Sequence, residues 1–335
     1  MPITDPNANP LSILESLNSE HRVVICGHTR PDGDAVGSTI ALALALTSRG
    51  VQVDAVTPDE ADPPQSYEWL EGFELLRSVS KLRSDQKCDV FIAVDCPHPA
   101  RLGLARPIME QADLTLLIDH HPDNLGYADF YLVDQDAAST TALIWSALGE
   151  FAWERSAPIA TACLAGLVTD TGGFRYSNTT PDALRIAAEM LELSAGMAVI
   201  TANLFESKSR ALLSLEAIVS DRVTLHNEGS VVVSWLSDDD FSTIGASPHE
   251  GENLVDVVRT VGGPQVVVLV TVGTQGSRVS LRSKGSFDVA AVASRYGGGG
   301  HRAAAGVTWP DSSATVDEIL GSLLPFLPGG NSTGG

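Results

Sequence analysis

Short runs of almost unbroken apolar residues recur through the first third of the chain: VVICGH (23–28), VQVDAV (51–56), DVFIAVD (89–95) and LTLLID (114–119). Strands buried on both faces of a parallel sheet have this composition, because neither face meets water. Helical stretches separate them, beginning with the small-residue segment AVGSTIALALALTSRG, which stops at Gly50. The alternation predicts a doubly wound α/β domain, in which ligands bind beyond the carboxyl ends of the strands. Three of the runs end in metal-capable side chains: His28 closes the first, Asp95 the third, and Asp119-His120-His121 the fourth. A helical apolar stretch, ATACLAGLVTDTGGF (160–174), carries Asp170 near its end. Separate segments thus bring acids and imidazoles to one edge.

Further along, the sequence predicts a helix from Pro181 to about Leu193, with Thr180 as N-cap and proline at the first helical position. A long helix is expected over 207–226, then strands at 231–236, 265–273 and 277–283, the segment RYGGGGHRAAAG (295–306), and a closing helix around 314–324. With 335 residues the chain can build two cores. The expected division is a domain over 1–195, a hinge-like linker over 196–206, a smaller α/β domain over 207–328, and a disordered tail over 329–335.

The segment GHTRPDGDAVGS (27–38) concentrates the chemistry, with His28, Asp32 and Asp34 on a tight strand-to-helix turn. An imidazole with carboxylates and no thiolate suits Mn²⁺, Mg²⁺ or Fe²⁺ better than structural zinc. The plainer alternative is that the aspartates cap the next helix. With Asp95, Asp119, His120, His121 and Asp170 added, the set is large enough for two cations sharing a bridging carboxylate. Such a pair, ~3.5–4 Å apart, binds phosphoryl oxygens and generates hydroxide from water.

Charge narrows the partners. The 42 acids against 21 bases give a formal charge of −21, which disfavours gripping a long nucleic acid along its backbone. A short phosphorylated substrate in a local pocket remains compatible. Only four of the bases are Lys, so the acidic surface fits either a salty cytoplasm or GC-rich codon usage. The four scattered cysteines, Cys26, Cys88, Cys96 and Cys163, predict reduced thiols in a cytoplasm. The longest apolar runs fall short of the ~20 residues of a membrane helix, and the start of the chain does not read as a signal peptide. His98 is expected to be a loop histidine, and His21, His226 and His249 surface groups; the five Trp form no stacking stripe for single-stranded nucleic acid.

The segments HTRPDGD, AVDCPHPARLG, IDHHPDN and GLVTDTGGF resemble the four motifs of the DHH phosphoesterase superfamily, and VSLRSKGSFDVAAVASRYGGGGHRAAAG resembles its DHHA1 domain. Together they resemble the bacterial bifunctional oligoribonuclease and PAP phosphatase group across nearly the whole chain. The resemblance implies that His28 and Asp32 hold one metal, Asp34, His120 and Asp170 the other, and that Asp95 bridges the two. It implies that His121 faces the scissile phosphate and that Asp119 orients the neighbouring histidines. It places Arg282, His301 and the Gly297–Gly300 backbone (Gly298, Gly299 and Gly300 foremost) in the substrate's phosphate pocket, with Lys284 and Arg302 as less committed candidates. Ala142 stands where relatives often carry an acid.

The expectation is therefore a two-domain, two-metal phosphoesterase, most simply a manganese enzyme, with its active site in a cleft between domains. Its substrates by resemblance are short oligoribonucleotides, cleaved to 5′-mononucleotides, and 3′-phosphoadenosine 5′-phosphate, cleaved to AMP; a homodimer is compatible. A cyclic di-AMP or linear dinucleotide phosphodiesterase shares the same motifs and stays open. A long-chain exonuclease, an inorganic pyrophosphatase and a non-catalytic nucleotide sensor fit less well.

Overall fold

The computed structural model describes residues 10–83, 87–124, 126–251, 254–274, 276–309, 311 and 313–330. The side chain of His249 and residues 331–335, for which the sequence predicts surface exposure and disorder, lie outside that description. The chain divides into two compact units, Met1–Ser207 and Lys208–Gly335.

The first unit runs α1 (Pro10–Ser16), β1 (Arg22–Cys26), α2 (Gly33–Ser48), β2 (Gln52–Thr57), β3 (Leu76–Ser78), β4 (Val90–Val94), α3 (Arg106–Gln111), β5 (Leu114–Asp119), β6 (Phe130–Val133), α4 (Thr140–Glu150), α5 (Ala157–Asp170), α6 (Pro181–Leu193) and α7 (Met197–Phe205). Its six strands form one all-parallel sheet in the order β3-β2-β1-β4-β5-β6. The apolar runs are continuous because both faces are covered. Ile25, Ile92 and Leu116 are in register on the face packed by α2, α4 and α5, while Val24, Phe91 and Cys26 line the other. The strand order reverses between β1 and β4, and a crevice at that point is where such sheets take ligands. His28 lies two residues beyond β1, and Asp95 directly follows β4.

All four cysteines are buried and unpaired, and burial raises the thiols of Cys88 and Cys96 to about 12. They pack as small apolar groups. The stretch expected as a linker, 196–206, is instead mostly α7, which sets Ile200 into the core of the first unit.

The second unit runs α8 (Arg210–Asp221), β7 (Thr224–His226), β8 (Val231–Ser237), α9 (Asp238–Ile244), α10 (Val255–Arg259), β9 (Val266–Val272), β10 (Arg278–Ser283), α11 (Val289–Ser294), β11 (Gly299–His301), β12 (Ala304–Thr308) and α12 (Val316–Leu323). Its mixed sheet, β11-β12-β10-β9-β8-β7, is parallel at β8–β9 and antiparallel elsewhere. Side chains of α8, α9 and α10 cover one face and those of α11 and α12 the other. The single long helix expected over 207–226 stops at Asp221. Arg222 there forms a two-pronged contact with Asp240 (2.7 and 2.9 Å) and lies 3.7 Å above the Trp235 ring, so the chain turns into β7. No helix among the described residues is long and apolar enough to cross a membrane.

Close contact between α2 and α5 depends on Gly37, where a Cβ would sit 2.5 Å from the Ala162 carbonyl oxygen. Gly→Ala in a helix ordinarily stabilises by roughly 0.5–1 kcal/mol. At Gly37 the collision with backbone is expected to reverse the sign, for a net loss of about 1–3 kcal/mol. Gly321 on α12 has open space, and there the ordinary gain is expected. Urea unfolding of both variants checks the pair; a stabilised Gly37→Ala protein would refute the packing account.

Candidate metal centre

Five segments of the first unit converge beyond the strand ends. The loop after β1 carries His28, whose Nδ1 lies 2.8 Å from the Thr29 carbonyl oxygen, so the ring acts through Nε2. Asp32 is the N-cap of α2: its Oδ1 accepts from the amides of Asp34 (3.0 Å) and Ala35 (3.1 Å). Its Oδ2 lies 3.8 Å from His28 Nε2. One carboxylate oxygen thus caps the helix while the other faces His28.

Asp95 occupies the middle. Its φ of +51° is a left-handed conformation that costs an L-residue roughly 1–2 kcal/mol, and such strain concentrates at functional sites. The amide still extends the β4–β5 ladder through the Ile118 carbonyl at 3.0 Å. Oδ2 lies 3.6 Å from His28 Nε2, and Oδ1 lies 3.8 Å from His120 Nε2 and 3.5 Å from His121 Nδ1. Each oxygen thus faces a different set of imidazoles.

Asp34, the second residue of α2, is fully buried and points to the N-terminus of α4. It accepts from the amides of Thr140 (2.7 Å) and Thr141 (3.0 Å) and from the Thr141 hydroxyl (2.6 Å). The positive end of the helix favours a carboxylate there. Gly166 of α5 leaves the space that Thr141 fills. His120 Nε2 lies 3.3 Å from Asp170 Oδ2 and 4.0 Å from Asp34 Oδ2, while its Nδ1 is 3.2 Å from the Ala137 carbonyl.

Ligand atoms of His28, Asp32 and Asp95 fall within 4.8 Å of one another, as do those of Asp34, His120 and Asp170. Ligands about 2.0–2.2 Å from a common ion lie at comparable separations. The hard oxygen and imidazole donors without a thiolate fit divalent cations, so the residues present fit the two metals implied. Electrostatics agrees. Burial, then the charges of Asp34 and Asp32, push Asp95 and Asp170 well above the usual carboxylate range; burial also raises Asp34 against the opposing pull of His120 and Thr141.

Asp119 differs. Burial works to raise it, but the His121 hydrogen bond and charge and the Asn124 donor outweigh that and hold it below the usual range. His121 Nδ1 meets Asp119 Oδ1 at 2.8 Å, and Asn124 Nδ2 donates to Oδ2 at 2.5 Å. A carboxylate on Nδ1 fixes the proton there and leaves Nε2 as the ring's acceptor nitrogen.

Sequence reasoning assigns no role to Thr140, Thr141, Asn124 or Asn178. The segment 137–141 holds three of the converging groups: Ala137 takes His120, and Thr140 and Thr141 take Asp34, with the Thr140 hydroxyl also donating to Asp95 at 3.1 Å. Asn178 ties this segment to the end of α5 by donating to the carbonyls of Ala138 (3.0 Å) and Asp170 (3.2 Å). The only signal for them in the chain is an STT cap before a helix, which many helices share. Ala142 is buried, and its amide binds the Ser139 hydroxyl.

In the second unit, half of the glycine run is strand. Gly299 and Gly300 lie in edge strand β11, where a Cβ at Gly300 would come 2.5 Å from the Ala304 carbonyl. Close strand approach is one demand on these glycines. Arg282 and His301 both pair with Ala304 from opposite sides, which places them on one face of the sheet. Arg282 Nε also lies 3.7 Å from Asp256 Oδ1. Lys284 contacts the Val261 carbonyl, and Arg302 Nε donates to the Ser286 carbonyl at 3.1 Å. His98 caps a 3-10 segment, Pro99–Ala105, by accepting from Ala100 N at 3.2 Å; His21 and His226 are half-buried.

Residues 22–168 match the family model for the DHH family, N-terminal domain, and residues 228–324 match the DHHA1 domain. The chain belongs to the DHH/DHHA1 phosphoesterase superfamily. Within it, the chain is 32% identical over 290 residues to a bifunctional oligoribonuclease and PAP phosphatase of Thermus thermophilus, covering 86% of this chain and 84% of that protein. It is 25% identical over 318 residues to the protein of the same description in Bacillus subtilis, covering 93% and 96%. The crystal structure of an exopolyphosphatase-related protein from Bacteroides fragilis shares the fold with a TM-score of 0.84 at 21% identity, over 93% of each chain.

Two outcomes follow from this geometry. Thr141→Val, which removes one donor to Asp34 at similar volume, is expected to weaken Mn²⁺ binding roughly tenfold or more by calorimetry, with Thr141→Ser close to wild type. Carboxyls raised in the folded state bind more protons folded than unfolded, so they cost stability as pH climbs through their raised values. Metal-free protein should therefore lose stability as pH rises above the ordinary carboxylate range, and Mn²⁺ should raise Tm more at the higher pH. A metal increment flat in pH would count against coupled carboxylates.

Proposed function

We propose that the chain is a divalent-metal-dependent phosphoester hydrolase that cleaves short oligoribonucleotides to 5′-mononucleotides and 3′-phosphoadenosine 5′-phosphate to AMP. The observation that carries the reading is Asp95, which groups with His28 and Asp32 through one oxygen and faces His120 of the Asp34–His120–Asp170 cluster through the other. The similarity to proteins described as bifunctional oligoribonucleases and PAP phosphatases supports the choice of substrates.

In this reading His28 and Asp32 hold one cation, Asp34, His120 and Asp170 the other, and Asp95 touches both. Mn²⁺ is the first expectation, with Mg²⁺ or Fe²⁺ as alternatives. When bound, such a pair supplies Lewis acidity toward phosphoryl oxygens and lowers the pKa of water toward neutrality. His121 stabilises charge on the phosphoryl group, or protonates the leaving oxygen, through Nε2; Asp119 holds its ring for either task. Arg282, His301 and the Gly298–Gly300 backbone bind the substrate's remaining phosphate or terminal nucleotide. Exclusion of long duplex nucleic acid belongs to the same reading, since a net charge of −21 repels it. A homodimer also belongs to it, and sedimentation at working concentration checks that assembly.

Incubation with Mn²⁺ and, separately, an RNA dinucleotide, 3′-phosphoadenosine 5′-phosphate and cyclic di-AMP tests the function. Rapid release of mononucleotides and AMP is expected, with little cyclic di-AMP turnover; the reverse preference would make the chain a cyclic-dinucleotide phosphodiesterase. Asp95→Ala is expected to lose turnover on all substrates while keeping its circular dichroism. Normal Mn²⁺-dependent activity in that variant would overturn the mechanism.

A further inference from the structure

Arg101 stands in the 3-10 segment Pro99–Ala105 that follows β4, and its backbone is tied to the metal centre. The amide of Thr29, next to His28, donates to the Arg101 carbonyl at 2.8 Å, and the Arg101 amide donates to the His98 carbonyl at 2.9 Å. Gly103 lets the segment press on that loop, since a Cβ there would lie 2.8 Å from Thr29 Cγ2 and 2.9 Å from the Pro58 carbonyl. The Arg101 side chain is half-buried. Among the described residues it has no hydrogen bond or ion pair. Several other arginines of this unit are satisfied: Arg22 and Arg77 by Asp54, Arg106 by Glu110, Arg155 by Glu189.

The guanidinium is nonetheless within electrostatic reach of the centre. Its charge acts on Asp32, alongside the His28 ring and the Ala35 amide. Arg101 also favours the ionised form of Cys96, the neighbour of Asp95, against the larger effect of burial. A half-buried guanidinium whose charge reaches Asp32 but that pairs with no carboxylate among the described residues carries a desolvation cost. The cost is removed when an exogenous anion completes the site. A guanidinium's planar fork matches two oxygens of a phosphoryl group, which an ammonium cannot do.

We propose that Arg101 is a substrate-contacting residue that takes non-bridging oxygens of the phosphoryl group attacked at this centre, on the His28–Asp32 side. The inference rests on the phosphoesterase reading above and adds a charge contact that the first unit supplies from its own loop. Carboxylates satisfied by cations leave Arg101 for the incoming anion. The contact serves any phosphoester with two anionic or partly anionic oxygens, a diester or a monoester.

The test uses the full chain loaded with Mn²⁺, comparing wild type, Arg101→Met and Arg101→Lys. Inorganic phosphate is the probe for anion binding, followed by calorimetry and by inhibition of 3′-phosphoadenosine 5′-phosphate hydrolysis. Arg101→Met is expected to lower phosphate affinity and kcat/KM by roughly ten- to hundredfold, the range for a hydrogen bond to a charged group. Arg101→Lys should recover only part of both. Mn²⁺ affinity and Tm should stay near wild type, because Arg101 holds no carboxylate in place. Unchanged phosphate affinity in Arg101→Met overturns the proposal, and so does a fall in Mn²⁺ affinity that parallels the loss, since Arg101 would then act through Asp32. If the wild type turns over no phosphoester, the parent reading fails separately, and phosphate binding still decides the role of Arg101.

Discussion

Buried carboxylates close enough to repel one another must meet opposing charge, and the first unit is arranged around that constraint. Asp34 and Asp95 are almost wholly buried, and Asp170 is partly so, yet all three approach His120. Their mutual repulsion and desolvation oppose ionisation, which makes the centre poorly satisfied as a bare protein site. Divalent cations held there would resolve the conflict. The fold's task is to keep the acids converged while they are unfavourable.

It does so with backbone groups. Asp34 is fixed by the N-terminus of α4 as well as by the Thr141 hydroxyl, and the same turn receives His120 through Ala137. Asn178 joins that turn to the last turn of α5, which carries Asp170. Helix ends and strand ends are the stiffest places from which to aim a side chain. Groups without a direct role in the proposed chemistry therefore decide how accurately it is set up. Asp119 does the same for His121 by a direct hydrogen bond, and Asn124 holds Asp119 in turn by donating to its other oxygen.

Much of this is legible in the chain. Continuous apolar runs can serve only as strands covered on both sides, so β1, β2, β4 and β5 and their parallel arrangement follow from composition and spacing. Short or amphipathic elements are harder. β3 and β6 are edge strands of three and four residues, and α7 hides in a stretch with no strong cap, so neither pattern nor length marks them. The helix expected over 207–226 is too long because nothing local marks its end; the stop is set by Arg222 meeting Trp235 and Asp240, residues 13 and 18 positions away.

The sequence by itself determined the doubly wound class of the first unit and the identity of the metal-capable groups, because strand burial and strand-end chemistry are written in consecutive residues. Only the tertiary structure decided which oxygen of Asp32 caps α2 and which remains for His28, and that Asp95 bends into a left-handed conformation to face both triads. It also decided that Thr141, more than 100 residues from Asp34, completes that carboxylate's hydrogen bonds. Those outcomes depend on distances between segments remote in the chain, and local propensity carries no information about such distances.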